Sequence, residues 1–175
     1  MAGATRLLGI AGWRGSGKTQ LVRALIPALR ERGLRVATIK HAHHTFDVDQ
    51  PGKDSYEHRR AGASEVLVSS ARRWTLIHEH ADDDAEPTLW ALLPKLSPVD
   101  LVLVEGFKHE RHPKLEVHRP SLGKPLLAAE ADANVVAIAS DAEIPNARVP
   151  VVDLNVVEQV AETVLARARH LDDEG

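Results

Sequence analysis

The stretch GIAGWRGSGKTQLVRAL, residues 9–25, decides the fold of this chain. It begins inside a short apolar run, residues 7–11, which is typical of a buried parallel strand. Beyond the glycines, Leu21, Val22, Leu25, Ile26 and Leu29 recur at helical spacing, and Gly33 predicts the end of that helix. Pro27 lies inside the pattern and predicts a kink in a helix that continues past it. The stretch therefore predicts a strand, a glycine-rich loop and a helix in direct succession.

The loop is a full match to the phosphate-binding pattern G-x-x-x-x-G-K-[ST]. Glycines permit a curled backbone whose N–H groups converge on phosphate oxygens, and the helix that follows offers its positive dipole end to the same anion. In this pattern Lys18 bridges the terminal phosphates and Thr19 places a hydroxyl on Mg²⁺. The alternative is a chance glycine-rich turn, and the position between a strand and a helix argues against it. The predicted phosphate-binding residues are Gly12, Trp13, Arg14, Gly15, Ser16, Gly17, Lys18 and Thr19.

A phosphate loop of this kind needs an acid at the end of a neighbouring strand to serve the metal. Glu105 directly follows four apolar residues in the run VDLVLVEG, residues 99–106. Asp100 begins the same strand, so it would lie at the opposite end of the sheet from the nucleotide. An ordinary glutamate at a strand end is the alternative interpretation. Glu105 is the predicted metal-side acid, and it joins Lys18 as a predicted catalytic residue.

A polar loop follows the second predicted strand, so it should open on the same edge of the sheet as the phosphate loop. Its sequence is KHAHHTFDVDQPGKDS, residues 40–55. One hypothesis is a zinc site at His41, His43 and His44, although the spacing matches no closed zinc site and the chain has no cysteine. A second is a switch-like loop whose acids serve Mg²⁺ and whose cations serve phosphates. A third is a solvated polar loop.

A second basic group follows Glu105, and we call it the basic segment. Two hypotheses stay open for it: a site for a further anionic ligand or acidic partner, or a solvated run of charge. Its members are Lys108, His109, Arg111, His112, Lys114, His118, Arg119 and Lys124.

Strands alternate with helices along the rest of the chain, which predicts a three-layer α/β fold with a mostly parallel sheet flanked by helices. The region around residues 65–85 is expected to add an antiparallel edge strand. The further predicted strands cover residues 34–39, 65–69, 73–78, 99–106, 115–118, 134–139 and 149–152, and the further predicted helices cover residues 55–61, 88–96 and 156–169.

Chain length and net charge restrict the classes of protein that remain possible. The length of 175 residues predicts a single domain, residues 1–175, with a frayed tail at residues 170–175. A net charge of −3 argues against general nucleic-acid binding. No stretch has the length of a membrane span or the form of a signal peptide. We therefore expect a cytoplasmic protein without a nucleic-acid or membrane partner.

Four segments together resemble one family, that of molybdopterin-guanine dinucleotide biosynthesis protein B (MobB). They occur in the same order and at similar intervals, and the resemblance covers about residues 6 to 165. The long histidine and acid block and VEGFK are its distinctive parts, since the phosphate loop alone is shared by many NTPases. The segments are GWRGSGKTQL (residues 12–21), IKHAHHTFDVDQPGKDSYEHRRAGA (39–63), LVLVEGFKHE (101–110) and VVAIASD (135–141).

The resemblance implies a P-loop NTPase of the group that includes dethiobiotin synthetase and nickel-insertion GTPases. It implies a homodimer that binds GTP and Mg²⁺, hydrolyses GTP slowly at most, and assists a MobA-like guanylyltransferase that attaches GMP to molybdopterin. Asp141 resembles the aspartate that related GTPases use on the guanine edge, although the full N-K-x-D signature is absent. Thr45 stands where relatives often carry an acid, which leaves Asp47 and Asp49 as the metal-side acids of that loop. The implied metal residues are Thr19, Asp49 and Glu105. Molybdopterin is a candidate ligand of the basic segment.

Two rival functions remain open. A small-molecule kinase or ATP-dependent ligase could use the same fold, although no long lid insertion with arginines is present in the sequence. A pure binding module would use nucleotide only to regulate docking. The turnover rate distinguishes a kinase from an accessory GTPase. Kinases turn over at about 1–100 per second, and an accessory GTPase without its partner is far slower.

Overall fold

The computed structural model describes residues 5–42, 46–81 and 85–171. The chain separates into two compact units, the first comprising Met1–His41 and Thr88–Gly175 and the second comprising Ala42–Pro87. In sequence the second unit is thus an insertion in the first, a feature that the prediction of a single domain over residues 1–175 does not include. Among the described residues, no helix is long and apolar enough to span a membrane.

Nine strands and four α-helices are present in the described ranges. In chain order they are β1 (Arg6–Ala11), α1 (Lys18–Glu31), β2 (Val36–Lys40), α2 (Asp54–Arg60), β3 (Glu65–Ser69), β4 (Trp74–His78), α3 (Leu89–Leu92), β5 (Leu101–Glu105), β6 (Lys114–His118), β7 (Val135–Ser140), β8 (Val151–Asp153), α4 (Val157–Arg167) and β9 (Arg169–His170).

The large sheet lies in the first unit, and its main path runs β2-β5-β1-β6-β7-β8 with every neighbouring pair parallel. β1 pairs with β5 in a register that sets Arg6 opposite Leu101 and Ile10 opposite Glu105. Because the strands are parallel, the segments that follow β1, β2, β5, β6 and β7 are neighbours at one edge of the sheet. The predicted α/β fold with a mostly parallel sheet is confirmed.

Side chains of the sheet alternate between two apolar layers, as the period of a strand requires. One layer joins Leu8 of β1 to Leu25 of α1 and Val160 of α4. The other layer joins Leu7 of β1 to Leu89 of α3. Helices therefore flank both faces of the sheet.

Two helices show how proline acts in different contexts. α1 continues through Pro27, as predicted, because its buried stripe of Leu21, Leu25 and Leu29 holds it on the sheet. The helix predicted over residues 88–96 is shorter: α3 gives way at once to a 3₁₀ turn, Leu93–Lys95. Pro94 carries no backbone N–H and cannot continue the α-helical hydrogen-bond ladder.

The antiparallel pairings fall in two places. β3 and β4 form a separate two-stranded hairpin in the second unit, with Leu67 opposite Leu76, so the antiparallel region predicted around residues 65–85 is present as its own small sheet. The antiparallel strand of the large sheet is β9, in which His170 lies opposite Arg6. The Leu171 N–H also donates to the Thr5 backbone oxygen at 3.0 Å. Residues 170 and 171 are therefore not frayed, and residues 172–175 lie outside the described residues.

β6 carries its ionisable side chains on one face, and that face is buried. Lys114, Glu116 and His118 alternate with the apolar residues of the strand, and each is 6% exposed or less. His112, just before the strand, is 1% exposed. A solvated run of charge is therefore the wrong interpretation of the basic segment at His112, Lys114 and His118.

Backbone groups satisfy the charged members of this layer. Lys114 Nζ donates to the backbone oxygens of Glu110 and His112 at 2.7 and 3.3 Å. The Glu116 carboxylate accepts from the backbone N–H groups of Leu127 and Ala128, each at 2.8 Å. Glu116 thereby fixes the segment that follows β6 against the sheet.

Acid should destabilise the protein through His112. Burial, together with the charge of Lys114, lowers the pKa of His112 from 6.5 to about 4. The unfolded chain takes up this proton near its ordinary pKa, whereas the folded chain resists it. Stability is therefore retained above that ordinary pKa and lost as the pH falls toward 4, by up to about 3 kcal/mol.

Urea unfolding at about pH 7.5 and about pH 4.5 measures this loss. His112→Gln should show a clearly smaller fall in stability than the wild type between the two pH values. The control is His109→Gln, which changes an exposed histidine three residues earlier. An equal fall in all three proteins would show that His112 is not the responsible group.

Candidate nucleotide-binding site

The predicted phosphate loop, residues 12–19, connects β1 directly to α1. Its glycines adopt backbone angles that other residues avoid, with φ of 144° at Gly12, 86° at Gly15 and 98° at Gly17. A Cβ added to Gly12 would lie 2.5 Å from the Val117 backbone oxygen and 2.7 Å from Ser16 Oγ. Gly17 is also the N-cap of α1, so no side chain caps the free N–H groups of the first turn. The loop is thus a curled turn that leaves the first N–H groups of α1 uncapped and has no room for a side chain at its first position.

Lys18 is folded back over the loop. Its ammonium donates to the backbone oxygens of Gly12 and Trp13 at 2.8 and 3.0 Å. Burial lowers the pKa of Lys18, and the charge of Lys40 acts in the same direction, while Glu105 opposes them. The ammonium is therefore partly desolvated and held by neutral carbonyls, which makes an anion a better partner than the present ones.

The structure brings Thr19 and Glu105 together. Thr19 Oγ1 donates to Glu105 Oε1 at 3.1 Å, and Lys40 Nζ lies 3.8 Å from the same oxygen. The sheet explains this contact, because Glu105 ends β5 between β1 and β2, where it lies opposite both Ile10 and Lys40. A hydroxyl and a carboxylate side by side are oxygen ligands of the kind that Mg²⁺ prefers.

Ser16, one of the predicted phosphate-binding residues, has a buried side chain inside the loop. It is 1% exposed, and its hydroxyl is buried without a hydrogen-bond partner among the described residues. A buried hydroxyl without a partner costs free energy, so native proteins pair such groups. An anion seated in the loop would supply the missing acceptor.

The turn after Glu105 is strained in a way that fixes the end of β5. Gly106 and Phe107 both have left-handed backbones, with φ of 97° and 49°. A Cβ on Gly106 would lie 2.6 Å from the Cβ of His41, whose N–H donates to the Glu105 backbone oxygen at 2.8 Å. The rings of Phe107 and His41 lie 4.9 Å apart. In the sequence the only signal of this turn is the Gly-Phe pair at residues 106–107. Phe107 is not among the site residues predicted from the sequence.

The segment after β6 lies against the phosphate loop. Trp13 Nε1 donates to the Pro125 backbone oxygen at 2.8 Å, and the Lys124 ammonium lies 5.8 Å from the Trp13 ring centroid. A Cβ on Gly15 would lie 3.9 Å from the Leu122 side chain. Arg14 is exposed. The segment after β6 therefore holds the phosphate loop in place, in addition to β1 and α1.

Asp141 follows β7 and lines a cavity of about 630 Å³ at the same edge of the sheet. The apolar part of the lining includes Ile144, Pro145 and Val152. The Asp141 carboxylate forms an ion pair with Arg119, whose Nε donates to the Ser16 backbone oxygen at 3.0 Å. The sequence had grouped Arg119 with the basic segment, and the structure places it between Asp141 and the phosphate loop.

Asp49 belongs to the second unit, where it is part of a cluster around Arg59. Its Oδ1 accepts from Ser55 Oγ at 2.9 Å, and its Oδ2 lies 3.4 Å from Arg59 Nε. Arg59 also pairs with Asp47 and Glu79, and its hydrogen bonds lower the pKa of Asp47. In residues 5–42, 46–81 and 85–171 no three histidine or acidic side chains form a metal-binding group. His43 and His44 of the zinc hypothesis, and Thr45, lie outside the described residues.

Known proteins resemble this chain over most of its length. The family model described as "MobB: Molybdopterin guanine dinucleotide synthesis protein B" matches residues 7–141. The molybdopterin-guanine dinucleotide biosynthesis adapter protein of Escherichia coli (strain K12) is 46% identical over 169 residues, which cover 94% of this chain and 95% of that one. The protein of the same name from Haemophilus influenzae is 40% identical over 158 residues, which cover 90% and 86% of the two chains.

A solved structure agrees with the sequence comparisons. The crystal structure of molybdopterin-guanine biosynthesis protein B aligns with a TM-score of 0.71 at 27% identity, covering 91% of this chain and 98% of that one. The residues matched by the family model begin in β1 and end at Asp141, so they include the phosphate loop and Glu105. The chain therefore belongs to the MobB family of P-loop NTPases.

Proposed function

We propose that this protein is a GTP-binding adapter in the biosynthesis of molybdopterin guanine dinucleotide, with at most slow GTPase activity. The relatives from Escherichia coli and Haemophilus influenzae are named as adapters of that biosynthesis. The observation that carries the nucleotide part is the loop of residues 12–19. It is preformed, it holds a partly desolvated lysine, and it leaves the buried Ser16 hydroxyl without a partner.

The loop supports binding of a triphosphate by several groups at once. Its free N–H groups and the start of α1 would donate to the bound phosphates, and Lys18 would exchange two carbonyl contacts for phosphate oxygens. Thr19 and Glu105 fit Mg²⁺, because a hydroxyl and a carboxylate already lie within 3.1 Å of each other at the loop. The bound ion would neutralise phosphate charge, and Lys40 beside Glu105 would add a further positive charge. We retain Asp49, in the second unit, as a further proposed metal-side acid.

The cavity beside Asp141 supports a purine base as its occupant. Its apolar walls suit a flat ring, and the carboxylate could accept from both N1–H and the 2-amino group of guanine, which adenine does not offer. Asp141 is therefore the proposed guanine-reading residue. A kinase or ligase that uses ATP remains the alternative, and base preference separates the two.

The proposed partner is a MobA-like guanylyltransferase that attaches GMP to molybdopterin, which fits a cytoplasmic site of action. Lys108, His109 and Arg111 are the exposed part of the basic segment before β6. They support binding of an anionic ligand such as molybdopterin there, whereas His112, Lys114 and His118 are buried.

A homodimer belongs to the same proposal. β3 and β4 form a two-stranded sheet, so each has an outer edge whose backbone groups lie outside the hairpin ladder. Leu67, Trp74 and Leu76 share one face of the hairpin and are 61%, 63% and 44% exposed. An exposed apolar face on a small sheet is the kind of surface that a second copy would cover.

Replacing Lys18 should remove nucleotide binding without unfolding the protein. Lys18→Ala deletes the cation nearest the phosphates, and we expect GTP affinity to fall about a hundredfold or more. Calorimetric titration measures the affinity, and thermal melting by circular dichroism reports the fold. The exposed Lys95→Ala is the matched control. Unchanged GTP affinity in Lys18→Ala would overturn the proposed function.

Base preference should depend on Asp141. The wild type should bind GTP about tenfold or more tightly than ATP, because a mismatched base leaves polar groups unpaired. Asp141→Ala should narrow that gap, whereas Glu130→Ala, which removes an exposed carboxylate, should not. Equal affinity for GTP and ATP in the wild type would favour the kinase or ligase alternative.

Sedimentation should show a dimer of about twice the 19.1 kDa chain mass at micromolar concentration. Leu76→Lys places a charge on the apolar face of the hairpin and should weaken the dimer. Thr75→Lys adds the same charge one residue earlier, on the opposite face of the strand, and should weaken it less. A wild-type monomer at that concentration would contradict the proposal.

A further inference from the structure

The strand order of the large sheet determines where Arg119 lies. It directly follows β6, the strand that lies between β1 and β7. The phosphate loop follows β1 and Asp141 follows β7. Because the carboxyl ends of parallel strands meet at one edge of the sheet, the residue after β6 lies between the phosphate loop and the cavity beside Asp141.

Arg119 uses different nitrogens of its guanidinium on the two sides. Its Nε donates to the Ser16 backbone oxygen at 3.0 Å, and its Nη1 donates to Asp141 Oδ2. The group also lies over the loop, since a Cβ added to Gly17 would be 3.6 Å from both Nε and Nη2. A planar group with several fixed donors can hold two partners at a set distance and angle, which a lysine cannot do.

Stability alone does not account for this arrangement. The side chains of Arg119 and Asp141 are 31% and 25% exposed, so their ion pair is partly open to water and contributes little to folding. Its stronger effect is geometric, because it fixes the rotation of a carboxylate that lines the cavity. Arg119 donates to Asp141 Oδ2. Because a carboxylate oxygen has two lone pairs, the same oxygen can still accept a hydrogen bond from a further donor.

We propose that Arg119 is the positioning residue that sets base preference: it orients Asp141 toward the base and fixes that carboxylate relative to the phosphate loop. This inference rests on the proposed binding of GTP. A triphosphate seated in the loop and a base in the cavity would then meet groups already set at the correct separation, which limits the ordering required on binding. Arg119 itself need not touch the base.

The test measures the ratio of GTP to ATP affinity, since a loss confined to the phosphate loop affects both nucleotides equally and cancels. Calorimetric titrations with Mg²⁺ are made on the wild type, Arg119→Ala, Asp141→Ala and the double variant. We expect Arg119→Ala and Asp141→Ala each to lower the ratio about tenfold. The double variant should lower it no further, because both changes remove one unit.

Two further variants sharpen the result. Arg119→Lys keeps the charge but has a single nitrogen in place of the planar guanidinium that reaches both Ser16 and Asp141, so it should give an intermediate ratio. Arg30→Ala removes an exposed arginine from the last turn of α1 and should leave the ratio unchanged.

The outcomes separate this inference from the function on which it rests. A wild-type ratio retained in Arg119→Ala, while Asp141→Ala loses it, would overturn the role of Arg119 and leave guanine reading intact. An equal loss of GTP and ATP affinity in Arg119→Ala would confine the residue to the phosphate loop and overturn the role as well. A wild type without base preference would overturn guanine reading itself, and the inference with it.

Discussion

The parallel register of β1 against β5 is the constraint on which the site depends. It sets Ile10 opposite Glu105, so β5 ends beside the point where β1 turns into the phosphate loop. A shift of one residue would turn the Glu105 side chain to the other face of the sheet and separate it from the Thr19 hydroxyl. The apolar layers above and below the sheet hold this register, because Leu8 and Leu103 are buried on one face of the sheet and Leu7 and Val102 on the other.

The other candidate site residues lie at the same edge of the sheet. Lys40 ends β2 next to Glu105, Arg119 follows β6, and Asp141 follows β7. The segment after β6 is held against the sheet by the buried Glu116 carboxylate and against the phosphate loop by Trp13. Burial of Lys114, Glu116 and His112 costs folding free energy, because buried ionisable groups lose their hydration and need partners in the core. Its benefit is a rigid support for the residues around the phosphate loop.

Local patterns in the sequence predicted the parts of the structure that are local. The phosphate loop, α1 and the apolar strands follow from spacing within about twenty residues, and Glu105 follows from its place at the end of an apolar run. The pairing of Arg119 with Asp141 could not be predicted in this way, because it depends on the order of strands in the sheet. Charge patterns were misleading at His112 and Lys114, where the fold buries residues that are usually solvated. β9 is two residues long and carries no periodic signal.

We propose that the loop of residues 12–19 is a preformed site for GTP with Mg²⁺. The most direct measurement is a calorimetric titration of GTP into the wild-type protein, with Mg²⁺ in one series and with a chelator in the other. We expect one GTP bound per chain, with clearly higher affinity when Mg²⁺ is present, because the ion would join the phosphates to Thr19 and Glu105. Absence of GTP binding in both series would contradict it.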